Sequence, residues 1–338
     1  MPEAQTPEMD LASRGGAGLP PTPTTVSPEM QKLVAAPPRP AWKMQPRTHE
    51  EWRSLVEGTA SQGVARLPRL CDRLGVAYER TSLGGVAAFR VMPREVVPKN
   101  RGRFLLHIHG GCYVMFPGES GLPEAILMAG FGRFEVLSID YRMPPDAFFP
   151  AALDDVVAGW EAALKLAHPR QMAVFGTSAG GALTLELVLR AKAQGLPLPA
   201  ALASGTPMSD VTKTGDTFYT NEMIDNVLVS REGLCQRAVE FYANGHDLAD
   251  PLLSPINGNF SGFPPTLLVS GTRDLLLSNT VRVHRKLRQA GVEAELHVFE
   301  GQSHAQYLND ENAPETREVF DEIARFFDSR LAPGSVPQ

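Results

Sequence analysis

The sequence predicts an α/β protein with a mostly parallel sheet that is covered by helices on both faces. From about residue 103, short apolar runs typical of buried strands alternate with longer helix-forming segments, the pattern of a parallel sheet with helical crossovers. A strand run at residues 171–176 leads through a sharp turn, with Ser178 at its apex, into a helix-forming segment. Residues 210–247 carry helix signals but no strand pattern, which predicts an insertion folded over one end of the sheet.

Composition excludes several classes of protein. The 338 residues are 43% hydrophobic and 21% charged with a net charge of −6, so the chain can bury a sizeable core and offers no basic track for nucleic acid. No apolar segment approaches the roughly 18 residues that span a bilayer, and the N-terminus does not resemble a signal peptide. We therefore expect a cytoplasmic protein that binds neither nucleic acid nor membrane.

The three cysteines are Cys71, Cys112 and Cys235. They are odd in number and lack the spacing of a metal site. We expect no metal ion and no structural disulfide.

The chain before the sheet has two parts. Residues 1–25 are rich in Pro, Thr, Gly and Ser, which predicts a disordered tail. Residues from 27 to 57 favour two short helices with apolar side chains and no strand to join, so this surface must pack on something else. Two alternating stretches, 76–80 and 86–92, flank Gly84-Gly85 and predict an antiparallel hairpin.

The later elements follow in order, and their apolar periodicity sets their type. Strands are predicted at 103–109, 134–139, 171–176, 199–204, 266–270 and 294–299. Helices are predicted near 121–132, 151–167, 179–195, 279–290 and 314–330.

Ser178 is the candidate nucleophile. In a G-x-S-x-G elbow the flanking glycines let strand and helix backbones approach closely, and the turn exposes the serine hydroxyl at the helix N-terminus. The five-residue pattern alone also fits an ordinary glycine-rich turn with a helix-capping serine. The predicted strand before it and helix after it favour the elbow.

A serine nucleophile needs a base, and the base needs an orienting carboxylate. Because catalytic groups collect beyond the carboxyl ends of parallel strands, the segments that follow strands are informative. Asp274 follows the strand at 266–270, and His304 follows the strand at 294–299. Asp274 alone could cap a helix and His304 alone could be a solvated loop residue, but the order Ser178, Asp274, His304 predicts a catalytic triad.

Backbone N–H groups near the serine complete the predicted site. His109-Gly110-Gly111 ends the strand at 103–109, where glycines leave the backbone unobstructed. Gly110, Gly111 and Ala179 are the candidate oxyanion-hole donors. The alternative is an ordinary Gly-Gly turn.

Taken together, these motifs resemble the α/β-hydrolase fold, and within it the microbial esterases related to hormone-sensitive lipase. The resemblance runs from about residue 103 to the end, and Thr177 before the serine is similar to the GTSAG branch of that family. The motifs that carry it are His109-Gly110-Gly111, Tyr141-Arg142, Phe149-Pro150 with Asp154-Asp155, Gly176-Thr177-Ser178-Ala179-Gly180, Asp250-Pro251, Asp274 and His304.

The resemblance implies an eight-stranded, mostly parallel sheet flanked by helices, with a helical cap over it. The implied organisation is a tail at 1–25, an N-terminal cap part at 26–60, the core at 61–209 and 248–338, and a cap insertion at 210–247. It also implies hydrolysis of carboxylic esters with short or medium acyl chains. Cys112 replaces a third glycine of many relatives, which predicts an altered pocket wall. Asp250 is a rival carboxylate, and we expect it to fix a turn instead.

The sequence therefore predicts a serine carboxylesterase that needs no cofactor, with a small-molecule ester as its partner. A lactone hydrolase or a deacetylase would use the same triad, and a non-catalytic ligand-binding homologue would be expected to lack His304. The last strand is a possible sheet edge for a homodimer. Candidate pocket residues, each also compatible with a core role, are Trp42, Met115, Met208, Phe218, Met223 and Tyr307.

Overall fold

The structure, a computed structural model, describes residues 19–334. Within these residues one sheet contains eight strands. They are β1 (Val76–Leu83), β2 (Val86–Pro93), β3 (Phe104–Ile108), β4 (Glu135–Ile139), β5 (Met172–Thr177), β6 (Ala201–Gly205), β7 (Thr266–Gly271) and β8 (Ala294–Phe299). The spatial order is β1-β2-β4-β3-β5-β6-β7-β8. The β1–β2 and β2–β4 pairs are antiparallel and the other pairs are parallel.

Helices cover both faces of the sheet. They are α1 (Pro28–Val34), α2 (His49–Val64), α3 (Leu67–Leu74), α4 (Pro123–Gly132), α5 (Ala151–Ala163), α6 (Ala179–Gln194), α7 (Thr217–Thr220), α8 (Leu234–Ala243), α9 (Leu277–Gln289) and α10 (Pro314–Arg330). Helices α3, α4 and α10 pack on one face, and α5, α6 and α9 pack on the other. The predicted eight-stranded α/β architecture is confirmed.

Apolar side chains alternate between two cores along the central strands. In β3, Leu105 belongs to the core beneath α4 and α10, and Leu106 belongs to the core beneath α5 and α6. In β5, Phe175 belongs to the core beneath α4 and α10, and Val174 belongs to the core beneath α5 and α6. Because both faces are buried, these strands appear in the sequence as continuous apolar runs.

The predicted hairpin is confirmed as β1 and β2. Leu83 pairs with Val86, so the turn consists of Gly84 and Gly85 alone. Their φ angles are 60° and 86°, and a two-residue turn with both angles positive favours glycine at both positions.

The N-terminal helices include one that the sequence did not predict, α3, and α2 extends to Val64. A capping box between Thr48 and Glu51 fixes the start of α2. Trp52 of α2 stacks on Phe241 of α8, with ring centroids 5.0 Å apart and an interplanar angle of 7°. The N-terminal segment therefore packs on the insertion.

Residues 210–247 contain α7 and α8 and no strand, as the sequence predicts. The Asn221 side chain donates to the carbonyl oxygens of Thr272 and Asp274, at 3.2 and 2.8 Å. Thr272 directly follows β7, so the insertion lies over the carboxyl ends of the strands.

Of the predicted disordered tail, residues 1–18 lie outside the described residues. Pro21 belongs to the part of the tail that the structure describes, and its carbonyl oxygen accepts a hydrogen bond from the Arg273 side chain. This end of the chain therefore contacts the loop after β7.

Candidate active site

Ser178 lies between β5 and α6 in a backbone conformation that serine rarely adopts. Its φ is 63° and its ψ is −122°. The Ser178 N–H donates to the Gly205 carbonyl at 2.8 Å, and the Ser178 carbonyl accepts from Met208 N–H at 3.1 Å. These bonds to the last residue of β6 and to the segment after it hold the strained turn in place.

Two glycines permit the close packing at this turn. A Cβ on Gly180 would lie 1.9 Å from the Ile108 carbonyl oxygen, and one on Gly176 would lie 2.2 Å from the same atom. Any larger residue at either position would push α6 and β5 away from β3.

His304 and Asp274 lie within hydrogen-bond distance of each other. His304 Nδ1 is 3.1 Å from Asp274 Oδ1, and both side chains are buried. A carboxylate partner at Nδ1 holds the proton there and leaves Nε2 unprotonated, which is the tautomer that a general base requires. Within residues 19–334, Ser178 Oγ makes no hydrogen bond; contacts between nucleophile and base often tighten only with substrate bound.

Thr206 belongs to this site, although no sequence motif indicates it. It directly follows β6, and its hydroxyl donates to Asp274 Oδ2 and lies 3.1 Å from His304 Nδ1. Ser270 Oγ and Leu276 N–H also donate to the Asp274 carboxylate, at 2.9 and 2.8 Å. These donors fix the carboxylate orientation without an arginine or lysine.

Asp250 has a different environment. Its Oδ1 accepts from Leu252 N–H at 2.8 Å, and its carbonyl accepts from Leu253 and Ser254 N–H. These bonds stabilise the turn before Pro255, the role predicted for Asp250 from the sequence.

The candidate oxyanion donors lie beside Ser178. A Cβ on Gly110 would lie 3.3 Å from Ser178 Cβ, and Gly111 has a φ of 114°. Ala179 is the first residue of α6. In the described part of the chain, the N–H groups of these three residues donate to no other residue, so they are available to an oxyanion.

The ring of His109 supports the Gly110 peptide. Its Nδ1 lies 2.8 Å from the Gly110 carbonyl oxygen, and the ring stacks on Tyr141 with centroids 4.1 Å apart. Burial lowers the pKa of His109 to about 3, so the ring is neutral and Nδ1–H can donate to that carbonyl.

Comparison with known proteins agrees with this geometry. The sequence model of the family described as alpha/beta hydrolase fold matches residues 105–308. The chain belongs to the alpha/beta hydrolase family. The esterase E25, known from a crystal structure, has 42% sequence identity to this hydrolase. The alignment covers 94% of this hydrolase and 98% of the E25 chain, with a TM-score of 0.90.

Two further relatives are esterases or acetyl-hydrolases of known family or activity. An esterase from the bacterial hormone-sensitive lipase family is 27% identical, with a TM-score of 0.77 over 90% of this hydrolase and 99% of that chain. An acetyl-hydrolase of Streptomyces hygroscopicus is 28% identical over 234 residues, which is 69% of this hydrolase and 78% of the relative. The resemblance to hormone-sensitive-lipase-like esterases is confirmed.

The expectation of no structural disulfide is wrong. Cys112, next to Gly111, is bonded to Cys235 of α8, with a Cα–Cα distance of 5.6 Å and a sequence separation of 123 residues. Cys71 is the free cysteine. The spacing of three cysteines could not reveal this bond, because the loop and the helix meet only in the fold. The disulfide joins the loop after β3, which carries Gly110 and Gly111 and is called the oxyanion loop below, to the insertion.

A cavity walled largely by the insertion brings two predicted pocket residues together, and the three candidate triad residues are not among those that line it. Met208 and Phe218 line it along with Val211, Val239 and Leu276. Cys235 is also part of its wall.

The other four predicted pocket residues do not line this cavity. Met115 is buried in the loop after β3, and its N–H donates to the Gly111 carbonyl at 2.8 Å. Met223 is half-buried with a φ of 65°. Trp42 is half-buried with Lys43 beside its ring. Tyr307 belongs to the core on the opposite face of the sheet.

Tyr307 is part of a buried polar network beneath the elbow. Thr177 Oγ1 donates to Glu124 Oε1 at 2.6 Å and lies 2.8 Å from the Tyr307 hydroxyl. Glu124 Oε2 lies 3.2 Å from His107 Nε2. Because Thr177 precedes Ser178, this network fixes the strand end that carries the elbow.

Within residues 19–334, no group of three or more His, Cys, Asp or Glu side chains is arranged to hold a metal ion. None of the helices in this part of the chain has the length and apolar character needed to cross a bilayer.

Proposed function

We propose that this hydrolase is a serine carboxylesterase that cleaves short- to medium-chain carboxylic esters through an acyl-enzyme. The observation that carries the proposal is the strained elbow at Ser178 beside the His304–Asp274 hydrogen bond. The esterase and acetyl-hydrolase relatives support the same chemistry.

The reaction follows from the positions of these groups. Ser178 Oγ attacks the ester carbonyl carbon, and His304 Nε2 takes the hydroxyl proton. Asp274 keeps the imidazole oriented and stabilises the imidazolium. The N–H groups of Gly110, Gly111 and Ala179 stabilise the tetrahedral oxyanion. The intermediate collapses as His304 protonates the leaving alcohol, and a water molecule activated by His304 then releases the acid.

The acetyl-hydrolase relative supports a preference for short acyl chains. A hydrolysis series of aryl esters from two to twelve acyl carbons should therefore peak at short chains, and a peak at ten or twelve carbons would contradict the proposal.

A lactone hydrolase and a deacetylase remain alternatives, because both use the same groups. Lactones and acetylated amines assayed beside the aryl esters would separate these activities. The presence of His304 in contact with Asp274 favours an enzyme over a non-catalytic ligand-binding homologue.

Covalent labelling tests the nucleophile directly. An alkyl fluorophosphonate should add one label per chain, and peptide mapping should find it on Ser178. Ser178→Ala should lower kcat by at least about 10⁴-fold and abolish labelling while the fold persists. Ser209→Ala is the control, because Ser209 is a buried serine that donates to Asn279. A label on Ser204, Ser209 or Ser303 would overturn the assignment.

We also propose a cytoplasmic location and a homodimeric assembly. The Cys112–Cys235 disulfide favours an oxidising compartment instead, so fractionation of the native host is the test of location. Strand β8 lies at the edge of the sheet, which supports a homodimer formed by strand pairing. Light scattering after gel filtration would measure the mass in solution.

A further inference from the structure

Asp225 lies in the insertion, and the reaction described above does not use it. Its carboxylate contacts the loop that carries Asp274 and the loop that carries His304. Its side chain is fully buried. Asp225 Oδ2 accepts from Leu275 N–H at 2.8 Å and from His304 N–H at 3.3 Å. Leu275 directly follows Asp274. One oxygen atom of the insertion therefore connects the loop after β7 to the loop after β8.

The other oxygen of Asp225 holds the carboxylate in place. Asp225 Oδ1 accepts from the N–H groups of Val227 and Leu228, at 2.8 and 3.1 Å. All four donors are backbone N–H groups, and none is a cationic side chain. The negative charge is therefore not neutralised by a direct ion pair.

The adjacent residue anchors this corner to the rest of the protein. Asn226 Nδ2 donates to the carbonyl oxygens of Leu33 and Ala36, each at 2.9 Å. Asn226 N–H donates to Ser303 Oγ at 3.1 Å, and Gln306 Nε2 donates to Asn226 Oδ1 at 2.8 Å. Contacts on both sides of His304 thus fix Asp225 relative to the imidazole.

The charged groups that face Asp225 come from three other elements. Asp274 and His304 lie on the loops that Asp225 joins, and Asp274 is a like charge. Arg39 comes from the N-terminal segment, where its N–H donates to the Asn226 carbonyl at 3.2 Å. The pKa of Asp225 is raised to about 6, mainly by burial and then by the charge of Asp274, while the charge of His304 opposes both.

We propose that Asp225 is a positioning residue for ester hydrolysis: it fixes the His304 and Asp274 loops to each other and adds a second negative charge that stabilises the imidazolium form of His304. This inference rests on the proposed serine-esterase function. Each turnover forms that imidazolium twice, once on acylation and once on deacylation. Charge stabilisation in a site with little water acts mainly on kcat and less on substrate binding.

The test compares Asp225→Asn with the wild-type enzyme on one short-chain aryl ester from pH 5 to pH 9. Loss of the charge should lower the plateau kcat by tenfold or more and change KM less than threefold. It should also move the acidic limb of the kcat/KM profile to lower pH, because an imidazole without the nearby anion loses its proton more readily. A purely structural role would not move that limb.

Asp155→Asn is the matched control. Asp155 is also buried and accepts from Arg142, but it lies in α5 within the core. This variant should keep the wild-type acidic limb even where its stability falls.

Asp225→Ser, which keeps one acceptor oxygen, serves if Asp225→Asn does not fold by circular dichroism. A folded variant with the wild-type plateau kcat and the wild-type acidic limb of the kcat/KM profile would overturn the proposal. Failure of both variants to fold would assign Asp225 a structural role and would overturn it equally. Wild-type turnover of the ester reports on the proposed function separately.

Discussion

Asp274 and Asp250 are the two carboxylates that the sequence offers as partners for His304, and their surroundings differ. Asp274 contacts the imidazole at 3.1 Å, whereas Asp250 bonds within its own turn. Asparagine at position 274 favours the wrong imidazole tautomer. In a serine protease the same change lowers kcat by about 10⁴. We expect a similar loss for Asp274→Asn, with the thermal midpoint little changed.

Asp250→Asn provides the comparison. Its amide oxygen can still accept from Leu252 N–H, so the change should cost no more than about 1 kcal/mol and leave kcat near wild type. Rates on one short-chain ester and thermal midpoints for both variants check the pair. A steep kinetic loss in Asp250→Asn with none in Asp274→Asn would reverse the assignment.

The ionisation of Asp225 predicts a pH dependence of stability. Burial and, to a smaller extent, the charge of Asp274 raise its pKa to about 6. An unfolded aspartate has a pKa of about 3.9. Between about pH 4 and pH 6 the folded state therefore binds more protons, so the contribution of Asp225 to the free energy of unfolding falls as pH rises.

Asp225→Asn removes this titration. The unfolding free energy of the variant minus that of the wild type should rise between about pH 4 and pH 6 and level off above about pH 7. Urea unfolding at four pH values measures the difference. A difference that is constant across this range would contradict the raised pKa.

At this scale the sequence predicts Ser178, Asp274 and His304 because each follows a strand, and parallel strands end at one edge. Thr206 and Asp225 could not be predicted in the same way. Thr206 is a single hydroxyl in an ordinary loop segment. Asp225 lies in an insertion without strand periodicity, so nothing in the sequence indicates that it meets loops 50 or 79 residues away.

At the scale of elements, strand and helix order could be predicted well because buried strands carry unbroken apolar runs and the hairpin has its Gly84-Gly85 turn. Helix α3 was missed because Pro68 follows its first residue and four of its eight residues are polar or proline. The link between the oxyanion loop and α8 was missed because disulfide pairing depends on tertiary contact.

The disulfide predicts a dependence on reduction. Cys112 is adjacent to Gly111, so freeing it loosens both the loop and α8. Cys112→Ser with Cys235→Ser should lower stability by about 2–4 kcal/mol, and kcat should fall along with it. A reductant should lower the thermal midpoint of the wild type and leave the double variant unchanged.

Cys71→Ser is the control, because Cys71 is not bonded to another cysteine. It should behave like the wild type before and after reduction. Three free thiols by mass spectrometry of the oxidised, alkylated wild type would contradict the disulfide.

At the scale of the whole molecule, the N-terminal segment and the insertion form one layer over the carboxyl ends of the strands. Trp52 stacks on Phe241. The Asn226 side chain donates to the carbonyl oxygens of Leu33 and Val34, at the end of α1, and of Ala36 just after it. The sequence indicated both pieces because each carries apolar residues without a sheet partner. It could not show that they contact each other, because that contact depends on single side chains.

This layer predicts the outcome of N-terminal truncation. Deletion of residues 1–64 removes α1 and α2 and exposes the apolar surface of α8 that Trp52 covers. The strands that carry Ser178, Asp274 and His304 remain, so a fluorophosphonate should still label Ser178. KM should rise at least tenfold because the substrate loses its cover, and the effect should grow with acyl length. Deletion of residues 1–18 is the control and should leave KM unchanged.

Since loss of α2 could also unfold the chain, Trp52→Ala in the full chain provides a milder test with the same direction of change in KM. Wild-type KM values for the 1–64 deletion at every acyl length would show that the N-terminal segment does not cover the site.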